Sequence, residues 1–418
     1  MTRPATRTLS TMLVVTLASA ALLHAPTRAA AGPGGYGNTV ASASSRIDSG
    51  ELRRLLHQIV AAGAPGAAAR VRDEHGVTQA ASGVADLRTG RPMRAGLHYR
   101  VGSVTKPFVA TVMLQLVAEG RVSLQDTVAR WLPGILPYGD QVTIRQLLNH
   151  TSGVPDYTLE PIVRLYTFPQ ARFRAWTPRE LVALVADQPP DFPPGTAWRY
   201  SNTGYILAGL IVEAATGHKL GQELTRRIFR PLGLRDTFFP VNRPTIPRPY
   251  ARGYSLPLGQ EQGPLLDFTI LNPSVAWAAG ALVSNLGDLE HFFRALLGGR
   301  LLPPRLLTAM TTPVPTGQPG FGYGLGLIVI ETPAGRLLGH DGAIPGFLNI
   351  VLSTEDGCRQ VGVMMNEEFS SPAVSEAFSQ AFMTLAMGLL DGAASGVAST
   401  SASLRAAVRA GMTVRAQQ

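Results

Sequence analysis

The sequence predicts an α+β domain in which strands near the two chain ends enclose a long helical middle. Three observations carry this expectation. Leu52, Leu55, Leu56, Ile59 and Val60 recur at helical spacing until Gly63 and Pro65, and Gly66–Arg72 and Val77–Val84 then flank Asp73-Glu74-His75-Gly76 as a hairpin. Residues 100–235 read as successive helices broken by Gly and Pro. From Gly320 the period returns to two, with strands over Gly324–Glu331, Arg336–His340, Phe347–Ser353 and Arg359–Asn366 and turns at Thr332–Gly335 and Glu355–Gly357. A last helix carries Phe378, Phe382, Leu385 and Leu389. Strands and helices segregated along the chain are the mark of α+β rather than alternating α/β architecture.

The ends are set aside first. Arg3 and Arg7 precede an apolar core, Met12 to Leu23, and Ala29-Ala30-Ala31 offers a small-residue cleavage site, so residues 1–31 are expected to be a secretory signal peptide. That core is too short for a membrane span, and none is expected in the mature chain. Residues 32–46, rich in Gly, Ala and Ser, read as a flexible leader, and 392–418 as a disordered Ala/Ser/Arg tail. One folded domain, 47–391, is left. Cys358 is the only cysteine, which excludes an intramolecular disulfide, and its place after Thr354-Glu355-Asp356-Gly357 suggests a small packed strand residue. The net charge of +9, from 37 basic and 28 acidic residues, is spread without a basic run, so nucleic acid is not an expected partner.

The chemistry concentrates at Ser103-Val104-Thr105-Lys106, which opens the apolar run Phe108–Leu116. A Ser and a Lys three apart share one face of a helix's first turn, where an amine can take the hydroxyl proton near the positive end of the helix dipole. A buried Lys can lose its charge and an Arg cannot. The chain writes Arg almost everywhere, and Lys106 and Lys219 are its only lysines. Val142–Asn149 is a short capped helix ending at His150, which reads as a structural histidine bonded to the loop around the site. Residues 154–195 read as Pro-rich loops with one helix, Thr177–Asp187. Tyr200-Ser201-Asn202 precedes a helix through Thr216; taken alone it reads as a buried Tyr and a capping Asn. Leu220–Phe229 and Leu286–Leu297 are further helices, and the Pro/Gly-rich 240–276 is placed over a cleft. His340-Asp341-Gly342 lies in the late strands, where the Gly would admit a ligand backbone close to the strand. No metal-ligand spacing or phosphate loop is present, Gly322-Tyr323-Gly324-Leu325-Gly326 lacks the context of a nucleotide loop, and no cofactor is implied.

In order, Ser103-x-x-Lys106, Tyr200-x-Asn202 and His340-x-Gly342 resemble the motifs of the serine β-lactamase and penicillin-binding protein superfamily, on its class C-like branch, which includes secreted D-alanyl-D-alanine carboxypeptidases. Leu147–Gly153, Pro194-Gly195-Thr196, Ile228–Leu234 and Gly280–Ser284 match as well. The resemblance implies a β-lactamase/transpeptidase-like fold: an antiparallel sheet built from both chain ends and flanked by terminal helices, with an inserted all-helical lobe over roughly 100–275 and a cleft between them. It also implies a serine hydrolase working through an acyl-enzyme. Ser103 would be the nucleophile, Lys106 its base and Tyr200 the proton relay to the leaving group. Asn202 would bind the acyl side, and the backbone N–H groups of Ser103 and of Ala343, on an edge strand, would hold the oxyanion. His340 and Gly342 would line the substrate.

On this resemblance D-Ala-D-Ala carboxypeptidase leads, with peptidoglycan stem peptide as a substrate; esterase or D-amino-acid amidase/aminopeptidase follows. Authentic β-lactamase activity ranks lower. A non-catalytic penicillin- or cell-wall-binding module is disfavoured by the intact Ser103, Lys106 and Tyr200. A monomer acting on a small peptide, ester or amide is expected. One departure matters: carboxypeptidases of this branch often carry hydroxyl residues where this chain has Asp341 and Ala343. A carboxylate facing the cleft there would oppose a substrate ending in a free carboxylate.

Overall fold

The strands from the two ends of the chain meet in one nine-stranded antiparallel sheet. In the computed structural model, which describes residues 47–391, the sequence pattern resolves into these elements. The strands are β1 (Gly66–Asp73), β2 (Gly76–Asp86), β3 (Arg91–Pro92), β4 (Val314–Gln318), β5 (Phe321–Tyr323), β6 (Ile328–Thr332), β7 (Gly335–Ile344), β8 (Phe347–Thr354) and β9 (Gln360–Met365). Their order is β3-β2-β1-β9-β8-β7-β6-β5-β4. Ala67 lies opposite Met365 and Arg72 opposite Gln360, which closes the early strands onto the late ones. The expected signal peptide, leader and C-terminal tail lie outside the described residues.

Alternation along the strands separates two apolar layers. Ala67, Ala69 and Val71 of β1 and Val361, Val363 and Met365 of β9 bury one face against α1 (Ser49–Ala61) and α6 (Pro372–Asp391). Leu52, Leu55, Leu56 and Ile59 of α1 meet Phe378, Phe382, Leu385 and Leu389 of α6 in that layer. Asp48 caps α1, accepting from the backbone N–H groups of Gly50 and Glu51. By length and composition α6 could cross a bilayer, but half of its apolar window is buried in this layer. Ala68, Leu338, Val351 and Met364 point to the opposite face, into the core that holds Leu289, Phe292 and Phe293 of α5 (Leu286–Leu297).

Residues 93–313 are inserted between β3 and β4 and carry α2 (Thr105–Ala118), α3 (Leu159–Thr167) and α4 (Asn202–Thr216). This lobe is mostly helical, not all-helical. Tyr99–Arg100 pairs with Val283–Ser284, and Tyr254–Ser255 pairs with Leu266–Asp267 and, in parallel, with Glu367–Glu368. The insertion also runs past the expected end near residue 275, because α5 returns to cover the sheet.

Helix α3 lies in a segment read as loop; Pro161 stands in its first turn, where a missing N–H costs nothing. Pro304–Thr311 is likewise a helix begun by Pro. The helix expected over Thr177–Asp187 is shorter, Pro178–Ala183. Of the strand expected over Gly324–Glu331 only the part in β6 forms; residues 324–327 are the turn that joins it to β5, with Gly326 at φ 85°. Cys358 is exposed in the turn before β9 rather than packed in it. Hydrogen bonding to Asp356 raises its thiol pKa, so it is not an activated thiol.

Candidate active site

Gly102–Val104 form a single tight turn that runs directly into α2, placing Ser103 at the helix's entrance. The turn leans on β7. From Gly335 to Gly339 that strand is paired with β6, but from His340 to Ile344 only β8 pairs with it. Ala343 is therefore not on an edge strand of the sheet; it is on the half of an interior strand that has lost its second neighbour. The Ser103 turn occupies the vacated side. Gly102 adopts φ 53°, and a Cβ there would stand 2.7 Å from the Ala343 carbonyl oxygen and 2.9 Å from its nitrogen. A Cβ on Gly342 would come within 1.9 Å of the Val101 carbonyl oxygen. Gly342 thus makes room for the nucleophile's own turn, a different reason from the ligand approach expected of it. Asn349 ties the two, donating to the carbonyls of Val101 (3.2 Å) and Gly342 (2.9 Å).

Lys106, the second residue of α2 and one turn after Ser103, is fully buried. Its Nζ lies 3.0 Å from Ser103 Oγ, 2.8 Å from Asn202 Oδ1 and 2.8 Å from the Ala279 carbonyl oxygen. The last two are acceptors only. Asn202 begins α4, yet it does not cap it with its side chain. That work falls to Asp156, whose Oδ2 accepts from both the backbone N–H and the side-chain Nδ2 of Asn202. Its Oδ1 accepts from the backbone N–H and hydroxyl of Thr158. With Nδ2 committed to Asp156, the Asn202 amide has to turn Oδ1 toward Lys106. Asp156 was not among the residues singled out from sequence. The signal available was an acidic residue closing the Gly153-Val154-Pro155 loop.

The Tyr200 ring lies 4.8 Å from Lys106 Nζ and 4.2 Å from the ring of His150. His150 sits at φ 63°, and its Nδ1 accepts from the Ser201 backbone N–H at 3.1 Å, so it holds the Tyr200–Asn202 segment in place. Behind this pair stand Tyr205 and Tyr323, both buried, and burial drives both phenol pKa values well above the ordinary range. His340 is also fully buried, its ring 6.5 Å from that of Tyr200 and its Nε2 2.8 Å from the Tyr323 hydroxyl. Ser103, Lys106, Tyr200 and Asn202 therefore meet directly, Gly342 and Ala343 hold the turn from below, and His340 lines the neighbouring wall. Among the described residues no cluster suited to a metal ion occurs.

The 240–276 segment is fastened to the strand leading into this turn. Arg100, three residues before Ser103 and fully buried, donates from Nη2 to the carbonyls of Pro244 and Leu271, the latter at 2.8 Å. Tyr157 reaches the Val275 carbonyl from the other side.

Comparison with known proteins identifies the family and the fold. The Beta-lactamase family profile matches residues 52–409. Esterase EstB of Burkholderia gladioli is 32% identical over 74% of this chain and 85% of its own length. Penicillin-binding protein 4* of Bacillus subtilis is 29% identical over 68% of this chain and 64% of its own. The crystal structure of a D-stereospecific amidohydrolase from a Streptomyces species superposes with a TM-score of 0.73 at 40% identity, covering 79% of this chain and 98% of that one. The chain belongs to the Beta-lactamase family of serine hydrolases, within the serine β-lactamase and penicillin-binding protein superfamily.

Proposed function

We propose that the protein hydrolyses amides or esters of D-configured acyl groups through an acyl-enzyme on Ser103. The observation that carries this is the set of contacts around Lys106. A neutral amine has two N–H donors and one lone pair. Asn202 Oδ1 and the Ala279 carbonyl, acceptors only, take the two donors. With the amine neutral, its lone pair can face the Ser103 hydroxyl 3.0 Å away, the arrangement of a nucleophile beside its general base. In the reaction Ser103 Oγ passes its proton to Nζ and attacks the carbonyl carbon. The backbone N–H groups of Ser103 and Ala343 receive the oxyanion. Tyr200 protonates the departing amine or alkoxide, and water then releases the acyl group from Ser103.

The D-stereospecific amide reading rests on the 40% identity to the Streptomyces amidohydrolase and on Asp341, whose carboxylate stands beside His340. D-Ala-D-Ala carboxypeptidase is the second reading, supported by the penicillin-binding relative. A fluorophosphonate probe and a fluorescent penicillin test the nucleophile. Wild type is expected to be labelled, Ser103→Ala not at all, and Lys106→Arg about 100-fold or more slowly, since a guanidinium cannot accept the proton. Equal labelling of wild type and Ser103→Ala would remove the assignment.

A further inference from the structure

Among the described residues, Trp277 is the largest side chain carried on a left-handed backbone, at φ 31°. A bulky residue in that region is strained and stays there only when its surroundings hold it. Trp277 opens the single helical turn Trp277–Gly280, whose third residue, Ala279, presents the carbonyl oxygen 2.8 Å from Lys106 Nζ. The strained position thus stands two residues before a contact of the site's amine. Both flanks of the turn are fastened. The Tyr157 hydroxyl donates to the Val275 carbonyl on one side. On the other, the Leu282 N–H donates to Thr105 Oγ1 at 3.1 Å, and the Leu282 carbonyl accepts from the Val101 N–H at 3.0 Å. Between these ends, the way the turn lies sets the direction of the Ala279 carbonyl.

The turn is seated on α4. Gly209 lies at the middle of that helix, and a Cβ there would stand 2.7 Å from Trp277 Cζ3, 3.0 Å from Trp277 Cη2 and 2.6 Å from Ala278 Cβ. A glycine inside a helix costs stability; here it clears the space that buried Trp277 and its neighbour fill. We infer that Trp277 is a positioning residue for Lys106: seated on Gly209, its ring holds the backbone in the left-handed conformation that turns the Ala279 carbonyl onto the amine. The inference rests on the acyl-enzyme reading above, in which Lys106 takes the Ser103 proton. Helix α4 then serves Lys106 twice. Its first residue, Asn202, supplies one acceptor, and its middle supplies the seat for the ring that aims the other.

Acylation of Ser103 by a fluorophosphonate and by a nitrophenyl ester tests this, with rates taken per labelled site so that unfolded protein does not count. Trp277→Gly permits the left-handed φ without strain but removes the ring. Acylation is then expected to slow about 10- to 100-fold with little change in KM. Gly209→Ala keeps the ring but presses a methyl against both Trp277 and Ala278, and is expected to slow acylation about tenfold. In both variants the acidic limb of the pH–rate profile should move to lower pH. A carbonyl oxygen beside an amine favours its charged form, so withdrawing it releases the proton more easily. Trp277→Phe, which keeps an aromatic ring over Gly209 with a shorter reach, should lie between Trp277→Gly and wild type in rate and in profile.

A role in packing alone would lower Tm and leave the rate per labelled site and the pH profile as they are in wild type. That result in Trp277→Gly would overturn the inference, and the same criterion applies to Gly209→Ala if Trp277→Gly does not fold. Labelling of the wild type keeps the two readings apart. A wild type labelled at Ser103 beside variants that acylate at its rate fails only here, whereas a wild type that takes no label fails the hydrolase reading itself.

Discussion

A single carboxylate decides how the Ser103–Lys106 pair is set. Asp156 accepts four hydrogen bonds, two from Thr158 and two from Asn202, which fills its usual capacity and fixes which end of the Asn202 amide faces Lys106. Asp156→Asn keeps the shape but replaces one oxygen by a donor, so the Asn202 amide can flip and present Nδ2 to the amine. Lys106 would then meet a donor where it needs an acceptor. Acylation by an ester is expected to slow about 10- to 100-fold with a shifted pH profile, while KM changes little. Asp156→Glu, which retains the carboxylate, should recover part of the rate. An Asp156→Asn enzyme with the wild-type pH–rate profile would show that the amide is oriented by something else. His150 illustrates the same logic from the other side. Its place at a helix end reads as structural, and it supports Tyr200 by ring contact and Ser201 by a hydrogen bond.

At the scale of elements, the site depends on how closely one turn can lie along one strand. The Ser103 turn fills the side of β7 that β6 leaves open, and the approach is set by two residues without side chains, Gly102 and Gly342. Gly342→Ala would drive a methyl to within 1.9 Å of the Val101 carbonyl, which is backbone and cannot swing away. The turn must lift, carrying Ser103 from the Ala343 N–H. Stability is expected to fall by about 1–3 kcal/mol, seen as a lower Tm, and labelling of Ser103 should fall with it. Gly134→Ala serves as a control. Unlike Gly342 it has positive φ, at 74°, but its Cβ meets open space, so it should cost stability without touching the labelling rate. Normal Tm and labelling in Gly342→Ala would mean the turn is not held at this distance.

The whole molecule carries a buried acid that links its stability to pH. Glu367 follows β9, is 2% exposed, and has its carboxyl pKa raised to about 7 by burial, with the Ser370 hydroxyl pulling weakly the other way. In the unfolded chain the same group titrates near 4.5. Between those two values the folded state holds the proton and the unfolded state does not. Stability from this group is therefore complete below about pH 4.5, declines as pH rises to about 7, and stays low above it. The difference amounts to about 3 kcal/mol at about 1.4 kcal/mol per pH unit. Glu367→Gln is expected to raise Tm at pH 8 and to change it little at pH 4.5, as calorimetry would show; an equal effect at both would mean the carboxyl is not held neutral. At the same scale, secretion is a proposal drawn from residues 1–31. Mass spectrometry of the culture supernatant is expected to find a mature N-terminus just after Ala31, and full-length protein retained in the cells would contradict it.

The sequence by itself was enough for the α+β class, the antiparallel meander and the Ser103–Lys106 pair. Those rest on local patterns: alternation, helical spacing, and a Lys placed one turn after a Ser in a chain that otherwise uses Arg; Tyr200 and Asn202, which alone read as a buried Tyr and a capping Asn, entered only through the family resemblance. Helix α3 and Pro304–Thr311 escaped because Pro in a first turn reads as a break unless its place in the helix is known. The packing of Gly342 on Val101, the exposure of Cys358, the setting of Asn202 by Asp156 and the pairing of His340 with Tyr323 could come only from the tertiary structure. Apart from Cys358, whose exposure is set by how its turn lies on the folded surface, each joins groups far apart in the chain or depends on which atom of an amide or ring faces which neighbour. A residue type states what hydrogen bonds a side chain can make; only the fold decides which partner takes each one.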